Sequence, residues 1–190
     1  MEQWSISLDA WIVQDGNYPD LERGQQVEFA VEFYFAEAPA LTGSSSPSIV
    51  HLEDTSYEVV ARVLSATDKV WALDCGIGIF QELQPPAEVE IGCYVRGTAN
   101  LGVDPFFYFE RLHALPSMPP LVYTWRIDAI WRNAAPFVRS GEVLIRDPAQ
   151  LNWTPLERTD AWHDDDGHAS YKLDCVLLDH PPKRSSATAT

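Results

Sequence analysis

The sequence predicts an all-β fold: a single antiparallel barrel with extra strands or, as the alternative, a two-sheet sandwich. Three observations predict it. Apolar and polar residues alternate with period two along most of the 190 residues. Convincing helical spacing is nearly absent. Glycines at 76, 78, 92 and 97 fall in or beside strand patterns, where a barrel must bend sharply. A twisted sheet of about eight strands has to close, or pack on a second sheet, to bury its apolar face.

Along 4–13, Trp4, Ile6, Leu8, Ala10 and Ile12 share one face and Ser5, Ser7 and Asp9 the other, giving a first strand. Asp15 to Asp20 is a turn by composition. Val27, Phe29, Val31, Phe33 and Phe35 alternate with Glu28 and Glu32, predicting one long strand with an acidic outer face. The span 36–48, rich in Pro, Gly and Ser, reads as a loop. Tyr57, Val59, Ala61 and Val63 form a third strand, and 70–80 a fourth, bent at Gly76-Ile77-Gly78. From Glu88 to Gly97, Val89, Ile91, Cys93 and Val95 point one way.

Asp104-Pro105 is a good helix start, a carboxylate cap followed by Pro. The four consecutive aromatics Phe106, Phe107, Tyr108 and Phe109 prefer a strand, and a short strand is the reading taken for 105–115. Leu121, Tyr123, Trp125, Ile127, Ala129 and Trp131 give the clearest strand face of the chain. A hairpin is expected around Ser140-Gly141, a short helical turn over 147–153, and a last strand through Tyr171, Leu173, Cys175 and Leu177. Residues 1–179 therefore make one β domain, and 180–190 a flexible C-terminal tail with nothing to pack. The Gly-x-Gly bend and the connector between the middle strands resemble the five-stranded Greek-key barrel of OB-folds. The resemblance is one of fold alone and implies no function.

Charge narrows the partners. The formal net charge is -15, and residues 1–60 hold eleven acids against one base, Arg23. Such a chain repels phosphate backbones and anionic lipid, so neither nucleic acid nor a membrane surface is expected, whereas a basic protein is favoured. Cys75, Cys93 and Cys175 are widely spaced at apolar positions, as small buried hydrophobes of a reducing compartment would be. No basic-then-apolar leader opens the sequence, and no apolar run approaches the ~18 residues of a membrane span. A cytoplasmic protein is the expectation.

Three groups of residues are candidate sites. His163, Asp164, Asp166 and His168 place carboxylates and imidazoles close enough for a divalent cation, although the spacing matches no established metal loop and Asp166-Gly167 also suits a hairpin turn. Phe106, Phe107, Tyr108 and Phe109 would form a stacking or anchoring platform if exposed, and core if buried. Glu28 and Glu32 would present carboxylates to a basic partner. The five histidines are scattered and no serine sits in a Gly-x-Ser-x-Gly setting, so no catalytic residue is assigned. The preferred function is a non-catalytic module that binds a basic protein, as inhibitors or immunity proteins do. The alternatives are a metal-dependent enzyme or metal-stabilised domain using the 163–168 turn, and a carrier of a small apolar ligand. Apart from that metal, no cofactor is expected.

Overall fold

The computed structural model describes residues 3–179 and 181–184. Its strands, in chain order, are Gln3–Asp9 (β1), Gln26–Phe29 (β2), Val31–Phe35 (β3), Ala40–Thr42 (β4), Ser48–Glu53 (β5), Ser56–Ala66 (β6), Trp71–Asp74 (β7), Gly78–Gln81 (β8), Tyr94–Val103 (β9), Tyr123–Asn133 (β10), Phe137–Ser140 (β11), Val143–Arg146 (β12), Trp153–Leu156 (β13) and Ser170–Leu177 (β14). Two short helices interrupt them, Ala10–Gln14 (α1) and Phe107–Glu110 (α2).

Five of these strands close a barrel. β6, β7 and β8 run as an antiparallel meander, and β9 returns to pair with β6, which makes a Greek key. β9 pairs antiparallel with β3, and β3 lies parallel to β8 where Glu32 faces Phe80, so the ring is complete. Phe33, Val59, Ala61, Val63, Leu73, Ile79, Val95, Ala99 and Leu101 are all at most 1% exposed and belong to one core. A barrel this narrow is filled by its own side chains.

The remaining long strands wrap beside it. β1 pairs along its whole length with β14, β14 pairs with β10, and β10 pairs with β2 in its first half and β13 in its second. β1 touches the barrel where Ser7 faces Gly102. Trp125 sits at the middle of this second layer, fully buried, stacked on Phe29 at 5.4 Å and edge-on to Trp4 at 6.3 Å. Its indole N–H donates to the Phe29 carbonyl at 3.3 Å.

Several expectations are corrected by the packing. β1 ends at Asp9 because its partner β14 begins at Ser170; the chain turns into α1 there, burying Ala10, Ile12 and Val13. The long strand over 27–35 divides at Ala30, its halves serving different partners. Glu32 is consequently only 4% exposed, so the acidic outer face is not a solvated one. Residues 75–77 form the turn of a β7–β8 hairpin, not a bend within one strand. At Gly78 a Cβ would lie 2.5 Å from Leu121 Cδ2, so any larger residue there would displace the buried Leu121 side chain. Ile91 is 64% exposed, since pairing starts at Tyr94 and runs on to Val103.

The 105–115 segment is helical, not a strand. The Asp104 carboxylate accepts the Phe107 and Tyr108 N–H groups at 2.8 and 3.0 Å, and this cap outweighs the aromatics' strand preference. In β10 the register slips between Ile127 and Ala129, so Ile130 takes the buried position expected for Ala129. Within the loop expected over 36–48, β4 adds three residues to the edge of β9. β5, with exposed Val50 and Leu52, lacks the alternation that marks the others. The hairpin around Gly141 and the helical turn at Pro148–Gln150 stand where the sequence places them. At the C-terminus, Lys183 exchanges backbone hydrogen bonds with Val122 at 2.9 and 2.7 Å. The rest of the expected tail, 180 and 185–190, lies outside the described residues.

Trp125→Ala should leave an unfilled void and lower stability by about 3–5 kcal/mol. Urea unfolding followed by circular dichroism measures it; a loss below about 1 kcal/mol would contradict the packing described.

Candidate functional site

A broad concavity lies at one end of the barrel, where β3 leaves at Phe35, β7 begins at Trp71 and β8 ends at Gln81. Phe33, Phe35 and Trp71 pack as a trio with centroids 5.1 to 5.8 Å apart, and Phe35 and Trp71 line the cleft. Trp71 Nε1 donates to Gln81 Oε1 at 3.1 Å, which holds the indole in place. The walls are the loops 36–39 and 83–87, stiffened by Pro39, Pro85 and Pro86. Leu83, 57% exposed, stands on the rim. The cleft measures about 540 Å³, within the range of ligand-binding sites.

Its lining is largely apolar. Glu37, Gln81 and Gln84 are its polar side chains; no Lys, Arg, His, Ser or Cys lines it. Glu37 is exposed, and the exposed Glu88 and Glu90 follow directly on the Ala87 wall. A second hollow of about 460 Å³ lies against the same 36–38 residues, with Arg96 among its lining. That guanidinium is paired with Glu58.

A buried acidic pair lies on the outer side of β3. Tyr34 donates its hydroxyl to Glu32 Oε2 at 2.6 Å. Burial raises the Glu32 carboxyl above its ordinary value, and the Tyr34 bond opposes that rise. Asp104 is fully buried; burial, and then the Glu32 charge, push its pKa up to about 7 against the pull of its two backbone donors and Arg111. The Tyr18 hydroxyl, buried and lacking a hydrogen-bond partner among the described residues, is raised by burial and by the charges of Asp104 and Glu32. The adjoining cleft, lined by Ser7, Trp11, Glu32 and Tyr34, is about 60 Å³, too small for an organic substrate.

The residues singled out from the sequence are dispersed. Tyr108 and Phe109 are buried in a second core with Phe80, Leu112 and Met118. Phe106, held at φ +80°, stacks on Phe109 at 4.9 Å and meets Tyr18 edge-on at 5.7 Å. Phe107 is half-buried beneath the Arg111 guanidinium at 4.3 Å. The four rings form no continuous exposed platform. Glu28 accepts from Lys183 Nζ at 2.9 Å, on a strand separate from Glu32.

In the acidic turn, Asp164 accepts from Arg132 at 3.1 Å and from the Tyr171 hydroxyl at 2.8 Å, while Asp165 pairs with Arg146. His163 Nδ1 lies 2.8 Å from Asp160 Oδ1 in an exposed pair, and Asp166 and His168 are exposed. Among the described residues no three of His, Cys, Asp and Glu are grouped to hold a metal ion. The arrangement ties the turn to β10, β12 and β14.

Sequence reasoning did not reach the cleft. Phe35 and Trp71 read as strand positions, and 36–48 as a loop, with nothing in either to mark a cleft. Nor do relatives point to a site: no family model, no curated protein and no solved structure matches this chain.

Asp104 keeps its proton when folded at pH values where the unfolded chain has released it. Between about pH 4 and pH 7 unfolding therefore releases a proton, and stability falls as pH rises. Urea midpoints should drop from pH 5 to pH 8, with this carboxyl contributing at most about 3 kcal/mol over that interval, and Asp104→Asn should flatten the slope. An unchanged slope in the variant would remove Asp104 from the account.

Proposed function

We propose that this protein is a non-catalytic interaction module whose barrel-end cleft takes an extended, cationic segment of a partner protein. The observation that carries the reading is the cleft itself: an aromatic floor, two side-chain amides and one carboxylate, with no cation in the lining. An aliphatic or aromatic anchor would bury against Phe35, Trp71 and Leu83, and a Lys or Arg beside it would meet Glu37. Gln81 and Gln84 offer donors and acceptors to a peptide main chain.

The charge of the whole chain supports the same reading. An excess of acids over bases steers a basic partner towards the protein and speeds encounter more than it adds final affinity. A role like that of proteins that neutralise a basic enzyme or toxin fits this chemistry. The side chains filling the barrel weigh against a small apolar ligand held inside it. Among the described residues no helix is long and apolar enough to cross a membrane. Cys75 and Cys175, buried, and Cys93, half-buried, sit as small apolar side chains, which supports a cytoplasmic, reducing setting.

Selection from a displayed random-peptide library tests the reading. Enriched peptides should carry Lys or Arg beside a bulky apolar residue and should bind more weakly as salt rises. Leu83→Asp and Glu37→Lys should each weaken binding about tenfold or more. Enrichment of acidic peptides, or binding indifferent to both variants, would refute it.

A further inference from the structure

The hairpin of β11 and β12 stands apart from the twelve-stranded sheet as a two-stranded sheet of its own. Phe137, Val143, Leu144 and Ile145 are all exposed, Leu144 at 65%. An isolated two-stranded hairpin is marginal in water, and an open apolar edge is a template for another strand. The hairpin is nonetheless well specified. Its two-residue loop, Gly141-Glu142, has Gly141 at φ +64°, the left-handed conformation that a tight hairpin turn needs at its first central position.

The turn also fixes which backbone groups are left open. Ser140 faces Val143 next to the loop and Val138 faces Ile145, and these pairs hydrogen-bond to one another. Because the pattern alternates, the N–H and C=O groups of Leu144 and Arg146 point away from β11, towards the unpaired edge. The edge of β11 is less inviting, since Pro136 precedes it and Arg139 lies within it.

We propose that β12 pairs with the β12 of a second copy, antiparallel across a two-fold axis centred on Leu144. This register joins the open backbone groups, sets Leu144 against its own counterpart, and places Val143 opposite Ile145. It also brings Glu142, exposed beside the loop, opposite Arg146 of the second copy, twice over by symmetry. Residues 137–146 carry two arginines and one acid, and Arg146 is paired with Asp165, so this edge is close to neutral on a chain of net charge -15. A second copy can therefore approach there with least repulsion. Arg146 already stacks on Phe137 at 3.9 Å and pairs with Asp165, so it is held in position. The contact is self-complementary and closes after two copies, as a two-fold interface must.

Light scattering and sedimentation over a range of concentrations test it. The full chain should move from 21.4 kDa towards twice that mass as concentration rises. Leu144→Pro removes an N–H that faces the open edge, leaving the hairpin's own ladder intact, and should weaken association at least about tenfold. Glu142→Arg should weaken it as well. Leu144→Cys should cross-link two chains under mild oxidation, because directly opposed residues in such a pair lie about 5.5 Å apart between Cα atoms. Circular dichroism should show the barrel unchanged in every variant. A one-chain mass at all concentrations would overturn the proposal. So would a dimer that survives Leu144→Pro, or a Leu144→Cys chain that does not cross-link.

Discussion

Much of this architecture rests on one short piece of chain that pairs in two directions. β2 pairs with β10 and β3 with β9, and the two strands are separated only by Ala30, whose carbonyl accepts the Asp104 N–H at 3.0 Å. The barrel and the second layer are thereby closed by the same stretch of backbone. The register of one fixes that of the other, since a one-residue slip would turn Phe29 and Phe33 out of their cores. Asp104 serves this junction with its amide and starts α2 with its carboxylate. Both demands hold it inside the protein, where its charge is costly.

That placement gives the acidity of the chain two faces. Glu32 and Asp104 are interior groups whose ionisation is opposed by burial, and the Glu32 charge further opposes that of Asp104. Others are engaged with cations: Glu58 with Arg96, Asp54 with Lys172, Asp128 with Arg126. Glu37, Glu88 and Glu90 belong to a third class, exposed along the loops that frame the barrel-end cleft. Net charge alone does not distinguish these classes; only the fold sorts them.

The strand pattern was legible wherever one face of a strand meets the core and the other meets water, as along Tyr57, Val59, Ala61 and Val63. It failed where the environment was not two-sided. Glu32 lies at an outward position, yet it sits among Ser7, Trp11 and Pro105 and is only 4% exposed, so polarity misreported exposure. Ala10 and Ile12 continued a period of two past the end of the partner strand. At Asp128 a bulge reset the parity, and nothing in a sequence of alternating Trp, Arg, Ile and Asp announces where such a slip falls. The helix start at Asp104-Pro105 was written in the chain, but four aromatics argued against it more loudly than a single cap argued for it. The cleft was hidden for another reason: it is assembled from the ends of β3, β7 and β8, and each contributes residues that are unremarkable alone.

The joint between β3 and β8 is the one parallel contact in the barrel, made through a single residue pair, whereas the other seams are antiparallel ladders. It is the seam most ready to gape. The cleft straddles it, with Phe35 at the end of one strand and Gln81 at the end of the other. On the function proposed above, a segment seated there would act as a clasp: binding only the shut form, it would tie its own occupancy to the integrity of the barrel.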